Sequence, residues 1–395
     1  MEHSYDIIVI GGGIAGASIA AELSRSHRVA ILEAESQPGF HSTGRSAAAF
    51  IPSYGAECDA LRSLTLASYD FFATDAHGEL SVPLLQRRGL VTIAHNWSES
   101  DAARDMASLN SLMPGCVSMI SGNEVEAHLP RIRTEWAMAA WYEPDVYDID
   151  VDATHQFFLS ALKRRGGELL CGMPVSQLRY QDEMWVVEAA NVTLRARTLV
   201  NAAGAWAEEI GSRAGAAPQG LCPMRRTALL LNLPDVGDPS DWPLVLDHGG
   251  SFYLKPDAGN LLVSLADETP SAPCDAQPEE IDIAYAVHNM QQAFDIDVQR
   301  VEHSWAGLRT FAPDRVPIFG YDQHVPHFFW AVGHGGHGIQ IAPAAARLCA
   351  ALIRREPIPE DILQLGFNLT DVQPSRFDSP SHSTDTTKKS TPESV

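Results

Sequence analysis

The sequence predicts an α/β protein that combines a parallel sheet near its N-terminus with an antiparallel sheet farther along the chain. Residues 7–10 form a continuous apolar run, which is typical of a parallel strand buried on both faces. Residues 229–233 and 251–256 instead have the alternating pattern of antiparallel strands. With 395 residues, 45% of them hydrophobic, the chain is long enough to form two domains.

The first strand leads directly into a glycine-rich turn and an apolar helix. Gly11, Gly13 and Gly16 have the spacing of a dinucleotide-binding turn, where glycines allow a tight turn, close approach of a pyrophosphate, and close helix packing. Residues 28–32 return as a second strand, and Glu33 follows where a carboxylate can accept hydrogen bonds from ribose hydroxyls. The alternative is a glycine-rich turn in an ordinary α/β domain, but strand, turn, helix, strand and acid in this order favour nucleotide binding.

Composition excludes several kinds of partner. A formal net charge of −22 argues against nucleic acid or anionic membrane, because attraction to phosphate requires clustered Lys and Arg. No apolar run approaches the roughly 18 residues of a membrane span, so we expect a cytoplasmic protein without an integral membrane segment. The six cysteines form no CxxC pair, which predicts reduced thiols and no metal site. Residues 371–395 contain almost no apolar side chains and are predicted to be a disordered tail.

Residues 37–49 are small and hydroxylated, with Arg45 as their single arginine. A segment with so little bulk can lie against a flat ligand while its N–H, hydroxyl and guanidinium groups contact phosphate. The alternative is a solvent-exposed loop. The alanines after Ser46 favour the start of a buried element over that loop.

Hydrophobic periodicity predicts the other elements. A helix over 153–165 should begin after Asp150 and Asp152, whose carboxylates can cap it, and end at Gly166. Residues 328–332 form a second strand that enters a glycine turn and a helix over 342–353, which can direct helix N–H groups at an anionic atom. Two further helices are predicted over residues 56–73 and 98–112. Strands are predicted over residues 90–94, 137–142 and 303–309, and shorter strands around Leu169, Val175 and Trp185. Another strand begins at Thr198 and runs into a turn of small residues.

With these motifs in hand, the sequence resembles the flavin-dependent D-amino-acid oxidase superfamily, most closely the bacterial D-arginine dehydrogenases. The likeness covers nearly the whole chain except the tail. It implies a Rossmann-like FAD-binding domain of the glutathione-reductase-like type and a discontinuous α+β substrate domain built on an antiparallel sheet. The resemblance rests on residues 11–16 with Glu33, and on residues 41–48, 201–206, 251–259, 305–309 and 335–340. The implied FAD-binding domain comprises residues 1–85, 150–222 and 305–370. The implied substrate domain comprises residues 86–149 and 223–304.

The resemblance implies FAD as the cofactor, bound noncovalently, since residues 309–320 contain no cysteine where covalent-flavin relatives tether the ring. The N-terminal unit is expected to bind adenosine and pyrophosphate, and the later glycine turn to hold the isoalloxazine ring near a helix dipole that stabilises charge on the reduced flavin. His337 is as consistent with packing as with tuning the site. The expected cofactor-binding residues are Gly11, Gly13, Ala15, Gly16, Glu33, Ala34, Ser42, Thr43, Gly44, Arg45, Ser46, Ala47, Ala48, Ala49, Val175, Gly335, Gly336, His337, Gly338, Ile339 and Gln340.

The resemblance also implies a substrate site. An α-carboxylate requires a planar fork of donors, which an arginine supplies and tyrosine phenols complete; Arg309 is the first choice. The alternatives are structural ion pairs for Arg309 and Arg226, and a half-buried sheet position for Tyr253. The residues expected to act both in catalysis and in substrate binding are Tyr54, Arg226, Tyr253 and Arg309. Gly336, Ala49 and Leu90 are expected to line the substrate site as well.

The implied reaction is oxidative deamination of a D-amino acid, in which hydride passes from Cα to flavin N5 and the imino acid is hydrolysed to a 2-oxo acid. Two positions depart from the D-arginine dehydrogenases: Ala49-Phe50 replaces a His-Tyr pair, and Leu90 replaces the guanidinium-binding glutamate. Burying a cation beside Leu90 without a partner costs several kcal/mol, so a small or apolar D-amino acid, or an N-alkyl or cyclic amino acid, is expected instead of D-Arg or D-Lys.

Residues 261–264 lack the oxygen-activating lysine of sarcosine-oxidase-like enzymes. Its absence favours a dehydrogenase with a quinone or protein electron acceptor, which could bring the enzyme to the membrane periphery. The alternatives are a glycine-, sarcosine- or proline-type amine oxidase, an FAD-dependent 2-hydroxy-acid dehydrogenase and, more remotely, a non-catalytic flavoprotein subunit. Retention of Tyr54, Tyr253 and Arg309 argues against the non-catalytic subunit.

Overall fold

The computed structural model describes residues 3–74, 83–233 and 236–377. In chain order the strands are β1 (His3–Ile10), β2 (Val29–Leu32), β3 (Ala49–Phe50), β4 (Leu85–Arg87), β5 (Leu90–Ile93), β6 (Ser118–Ile120), β7 (Ala140–Glu143), β8 (Tyr147–Ile149), β9 (Glu168–Leu170), β10 (Val175–Gln181), β11 (Met184–Ala189), β12 (Val192–Asn201), β13 (Cys222–Leu231), β14 (Leu244–Asp247), β15 (Tyr253–Asp257), β16 (Asn260–Ser264), β17 (Thr269–Pro270), β18 (Val301–Phe311), β19 (Ile318–Tyr321) and β20 (Phe328–Val332). The helices are α1 (Ile14–Leu23), α2 (Asp59–Ala73), α3 (Glu99–Leu112), α4 (Gly122–His128), α5 (Val151–Arg164), α6 (Ala207–Ala214), α7 (Glu280–Ala293), α8 (Gly338–Arg354) and α9 (Glu360–Gln364).

The first sheet is built around β1. This strand pairs in parallel with β2 on one side and with β12 on the other, and β12 pairs in parallel with β20. Ile10, Leu32, Asn201 and Trp330 therefore stand side by side at the carboxyl ends of the four strands. Ligands of α/β sheets bind beyond this edge, where the residues that follow the strands meet.

Both faces of the first sheet are covered, which explains its continuous apolar strands. Ile7 and Val9 pack against α1, α5 and α8 on one side, whereas Ile8 and Ile10 belong to a second buried cluster with Trp330 on the other. The predicted strand–turn–helix–strand unit at the N-terminus is confirmed by β1, α1 and β2.

The second sheet is antiparallel except where β5 runs parallel to β14. Its order is β6-β7-β5-β14-β15-β16-β13, with β17 and β18 both pairing with β13. One face is apolar and packs against α7 through residues such as Val245, Leu254 and Val263. The opposite face carries the substrate-site candidates, so the predicted combination of a Rossmann-like sheet and an antiparallel substrate sheet is confirmed.

Three details differ from the predictions. The FAD-binding domain was predicted to resume at residue 305, but β18 continues in the second sheet for six residues beyond it, so Arg309 belongs to that sheet. The other domain boundaries stay a prediction. α8 begins at Gly338, four residues earlier than expected, because Pro343 inside the helix conceals its start. α4, α7 and α9 were not predicted.

The predicted tail starts too early. Val372 is buried and its carbonyl accepts the Phe319 amide at 2.8 Å, while the Arg376 guanidinium binds the Asp314 carboxylate at 2.7 and 3.0 Å. These contacts fix residues 371–377 despite their low apolar content. Residues 378–395, the remainder of the predicted tail, lie outside the described residues. Within the described ranges, no helix has the length and apolar character needed to cross a membrane.

Candidate active site

A cavity of about 510 Å³ runs from Val175 at one end to Tyr253 and Arg309 at the other. Its walls include the turns that follow β1, β2, β12 and β20, together with residues of β13, β15 and β18. The cavity thus joins the ligand-binding edge of the first sheet to one face of the second. Its volume lies in the range of cofactor and substrate pockets.

The turn after β1 is packed so closely that only glycine fits. Gly11 has φ +108°, and a Cβ there would clash with the Ala202 carbonyl oxygen. A Cβ on Gly16 would clash with the Gly11 carbonyl oxygen. The first and third glycines therefore serve the tight turn and the close helix packing that their spacing predicts.

The start of α1 offers unsatisfied N–H donors to the cavity. The Gly12 amide donates to the Glu33 carboxylate at 2.7 Å and the Ile14 amide to the Thr43 hydroxyl at 3.0 Å. The amides of Gly13 and Ala15, which line the cavity, have no acceptor among the residues that the structure describes. Together with the positive end of α1, these two donors suit a pyrophosphate.

Glu33 is fixed in place by backbone donors. Its carboxylate accepts hydrogen bonds from Gly12 (2.7 Å) and Glu35 (2.9 Å), and the side chain is almost fully buried while lining the cavity. Each carboxylate oxygen keeps a second lone pair, so hydroxyl donors of a ribose can still bind there. At the same end, Val175 lines the cavity as expected. Met173, Pro174, Ile210 and Arg213 also line it and were not predicted, since no local motif marks them.

The segment from Ser42 to Ala49 divides into cavity and support residues. Ser42, Thr43, Arg45, Ser46 and Ala47 line the cavity, whereas Gly44, Ala48 and Ala49 do not. The guanidinium of Arg45 was expected at phosphate but is held by Asp275 and by two carbonyl oxygens, those of Ala276 and Ala306, at 2.9 Å each. Its donors are thus used to tie this segment to the second sheet. Ser42 likewise donates to the Leu308 carbonyl at 2.5 Å.

The turn after β20 approaches the substrate site. Gly335, Gly336, Gly338 and Ile339 line the cavity. Gln340 does not: its amide nitrogen donates to Thr65 at 3.1 Å and its amide oxygen accepts from Ile51 at 3.2 Å. His337 also faces away from the cavity, toward Tyr54. These two predicted cofactor residues therefore have structural partners on other elements.

Arg226 and Arg309 lie on the same face of the second sheet. Arg226 is opposite Gly307 and Arg309 is opposite Met224, so the two arginines are two positions apart across neighbouring strands. Tyr253 is on this face as well, because it stands opposite Ser264, which stands opposite Ala228. The register therefore brings together three of the four predicted substrate residues.

The two guanidinium groups form a region of excess positive charge. Arg226 contacts one acid, Glu268, at 3.3 Å, and its Nε has no partner within the described part of the chain. Burial, and then the nearby Arg309, lower the pKa of Arg226. No hydrogen bond or ion pair joins the Arg309 guanidinium to any described residue. An anionic ligand is the partner that this pair lacks.

Tyr54 reaches the same place from the loop between β3 and α2. A Cβ on Gly336 would lie 2.6 Å from the Tyr54 hydroxyl and 3.1 Å from Nη1 of Arg309. Gly336 therefore leaves room for the phenol and the guanidinium to meet above the turn. All four predicted substrate residues, Tyr54, Arg226, Tyr253 and Arg309, are brought together.

Ala49 and Leu90 lie behind the cavity and not in its lining. Leu90 is buried in a small apolar cluster with Val146 and Leu244, against which Ala49 packs. Directly opposite Leu90 in the sheet is Glu143, a buried acid that was not predicted. Desolvation raises the pKa of Glu143 to about 7, although a hydrogen bond with Ser53 acts in the other direction. Only the strand register reveals this acid.

Comparison with known proteins identifies the family. The model of the DAO family, FAD-dependent oxidoreductases, matches residues 6–352. The chain belongs to this family. It is 27% identical over 384 residues to glycine oxidase of Geobacillus kaustophilus, covering 94% of this chain and 98% of that protein. It is 22% identical to the mitochondrial dimethylglycine dehydrogenase of Rattus norvegicus, covering 92% of this chain and 44% of that protein. The structure of L-proline dehydrogenase from P. horikoshii is similar, with a TM-score of 0.80, 21% identity, and coverage of 96% and 99%.

Membership of the family confirms three predictions: an FAD cofactor, an oxidoreductase that acts on C–N amine donors, and the fold class. The elongated cavity and the free amides of Gly13 and Ala15 fit FAD. The likeness to the D-amino-acid oxidase superfamily is confirmed as well. These relatives do not specifically support D-arginine dehydrogenases as the nearest group.

Proposed function

We propose that this enzyme oxidises the Cα–N bond of a small α-amino acid with a primary or secondary amine, of glycine, sarcosine or proline type. The observation that carries the proposal is the pair Arg226 and Arg309 on one sheet face, with no acid on Arg309 among the described residues. The names of the similar proteins, glycine oxidase, dimethylglycine dehydrogenase and L-proline dehydrogenase, support this substrate class. Bound FAD would accept the hydride.

The paired arginines would bind the substrate α-carboxylate. A carboxylate offers two oxygens to the planar fork of donors on Arg309, and its charge offsets the repulsion between the two guanidinium groups. The phenols of Tyr54 and Tyr253 would complete the donor set. Holding the carboxylate in this way orients Cα, and such positioning is a large part of catalysis when the cofactor performs the redox step.

The same positive charge would act on the substrate amine. A like charge nearby disfavours the ammonium form of a bound amino acid and so lowers its pKa. Arg309 already acts on Arg226 in this direction. We infer that the amine loses its proton on binding, which makes its lone pair available and removes the need for a strongly basic side chain.

The apolar cluster around Leu90 would set the limit on the substituent. Leu246, the neighbour of Tyr253 across the sheet, packs against this cluster together with Ile51. A methyl group or a pyrrolidine ring suits such surroundings. A terminal guanidinium would be buried among these apolar side chains, and the acid opposite Leu90, Glu143, is held partly neutral because desolvation raises its pKa to about 7.

Small D-amino acids are the second candidate, with deamination to a 2-oxo acid. The observation that favours them is the convergence of Tyr54, Arg226, Tyr253, Arg309 and Gly336, the positions implied by the likeness to D-arginine dehydrogenases.

The electron acceptor is proposed to be a quinone or protein, because residues 261–264 contain no oxygen-activating lysine. Lys255 stands opposite Leu262 in the sheet, but its ammonium is ion-paired with Asp148 at 2.8 Å and so does not take the place of that lysine.

The test is anaerobic mixing of the holoenzyme with glycine, sarcosine, both enantiomers of proline and alanine, D-arginine, and lactate. Loss of the oxidised flavin absorbance should occur with glycine, sarcosine or proline, and D-arginine should be among the poorest substrates. Bleaching by D-alanine alone would favour the second candidate, and bleaching by lactate alone would contradict both. Peroxide formation in air would identify an oxidase and contradict the proposed acceptor.

A further inference from the structure

The loop that carries Tyr54 is held from two sides by buried titratable residues. Tyr54 itself is 39% exposed, although its hydroxyl reaches the substrate site above Gly336. Local hydrogen bonds shape the loop: the Tyr54 amide donates to Ile51 and the Ala56 amide to Ser53, both at 3.1 Å. Such turns do not fix a half-exposed phenol over a cavity, so its position depends on neighbouring elements.

His337 holds the ring of Tyr54. The two rings are stacked with centroids 4.2 Å apart and planes inclined by 12°. The imidazole is only 8% exposed, and a Cβ on Gly55 would lie 2.6 Å from its Nε2. Gly55, at φ +76°, therefore gives the loop the space to close over His337. Nε2 of His337 has no hydrogen-bond partner in the described part of the chain, so the ring stack is the contact that joins the imidazole to Tyr54.

The surroundings of His337 keep its ring neutral. Burial lowers the pKa of His337 to about 4, and the nearby cations Arg309 and Arg315 act in the same direction, as does His334. The stack thus supports Tyr54 without placing another positive charge beside the paired arginines. A neutral imidazole is also free to use one ring nitrogen as a donor.

Glu143 holds the residue before Tyr54. Glu143 is 4% exposed, and the interaction of its carboxyl group with Ser53 lowers its pKa against the larger effect of desolvation. No cation pairs with it in the described part of the chain, and Cys116 is the other titratable side chain that senses its charge. A buried acid whose hydrogen bond goes to one loop serine anchors that loop to β7.

We propose that His337 and Glu143 are positioning residues for Tyr54: together they hold the loop so that the phenol stays over Gly336 and Arg309. The inference rests on the proposed function in one respect, namely that Tyr54 contacts the substrate carboxylate. Neither His337 nor Glu143 touches the substrate in this arrangement. Both act through the loop.

The test measures acetate binding to the holoenzyme from the change it causes in the flavin absorbance spectrum. Acetate carries the carboxylate without an amine, so the measurement does not depend on turnover. We expect Tyr54→Phe and His337→Ala each to weaken acetate binding by about 10-fold, and the double variant to be little worse than either single one, because the two changes remove one contact. His337→Phe, which keeps an aromatic stack, should recover part of the loss.

Glu143→Leu should weaken acetate binding more than Glu143→Gln, whose amide oxygen can still accept the Ser53 hydrogen bond. Two matched controls remove comparable groups elsewhere. His248→Phe alters an imidazole stacked on Trp97 at 4.5 Å, and Glu168→Gln alters an acid that accepts from the Tyr5 hydroxyl at 3.1 Å. Neither control should change acetate binding.

The outcomes separate the two proposals. If the wild-type protein fails to bind acetate, the carboxylate site and the proposed function are wrong, and the role of Tyr54 falls with them. If the wild-type protein binds acetate and the His337 and Glu143 variants bind it equally well, only the positioning role is wrong. Losses that multiply in the Tyr54→Phe, His337→Ala double variant would also overturn the positioning role, as would equal losses in the controls.

Discussion

The two ends of the cavity are built in different ways. At the adenosine end, Glu33 and the turn after β1 lie within one short stretch of chain, and backbone amides satisfy the acid. At the substrate end, Arg226 and Arg309 come from separate strands, and their charge is left largely without partners in the described structure. Binding of the cofactor therefore depends on local backbone geometry, whereas recognition of the substrate depends on tertiary placement of side chains.

The largest expected effect is at the adenosine end. Gly11→Ala should abolish stable FAD binding, because the new Cβ would clash with the Ala202 carbonyl oxygen and the φ of +108° disfavours any side chain. Gly366→Ala is the matched control, since Gly366 has φ +88° but no atom near its Cβ position. The measurement is the ratio of FAD to protein after gel filtration. Retention of FAD by the Gly11 variant would show that this backbone geometry does not control binding.

At the substrate end, Arg309→Ala should lower kcat/KM by about 1,000-fold while FAD remains bound, since truncating one partner of a buried charge pair costs roughly 2–5 kcal/mol. Arg225→Ala is the control, because that guanidinium is paired with Glu279 and with Asp282 at 2.8 Å. Steady-state kinetics with the best amino-acid substrate measure the difference. An equal loss in both variants would mean that Arg309 supports the structure of the second sheet and does not bind the substrate carboxylate.

The buried acid near the substrate end, Glu143, should make the stability of the fold depend on pH. Glu143 has a folded pKa of about 7, above its ordinary value near 4.5, so its ionisation destabilises the fold as pH rises through this interval. Glu143→Gln should remove a decline of about 2 kcal/mol in the free energy of unfolding between pH 4.5 and 7. Urea unfolding at several pH values measures it. A decline that is unchanged in the variant would assign the effect to other groups.

The smallest effect is expected at Gly336. A Cβ there would meet the ends of two side chains, Tyr54 and Arg309, which can move by rotation. We therefore expect Gly336→Ala to raise KM by about 10-fold, with FAD retained and kcat changed less. If the variant lost FAD instead, the boundary between the cofactor and substrate ends would lie elsewhere.

The contrast also explains what could be predicted from the sequence. The dinucleotide turn and Glu33 were predictable because strand, glycines, helix and acid follow one another in the chain. Arg45 was assigned to phosphate, but its partners Asp275 and Ala306 are more than 200 residues away, and no local pattern indicates them. Gln340 was likewise assigned to the cofactor although its amide binds Thr65.

Tertiary placement hid other features of the substrate end. Leu90 suggested a site without an acid, yet Glu143 stands opposite it, a relation visible only in the register of β5 and β7. The position of Arg309 in the second sheet follows from β18 continuing past residue 305. The stack of Tyr54 on His337 joins two loops that are distant in the chain. Because no local pattern shows this contact, the sequence alone could not decide whether His337 packs against another residue or tunes the site.

The most direct test of the paired-arginine site compares amines that differ only in the carboxylate. Proline and pyrrolidine, and sarcosine and dimethylamine, are mixed anaerobically with the holoenzyme, and the rate of flavin reduction is followed for the wild-type protein and for Arg309→Ala. Reduction by the amino acids alone, with the rate collapsing in the variant, is the predicted result. Equal reduction by pyrrolidine or dimethylamine, or an unchanged rate in Arg309→Ala, would contradict recognition of the carboxylate by Arg226 and Arg309.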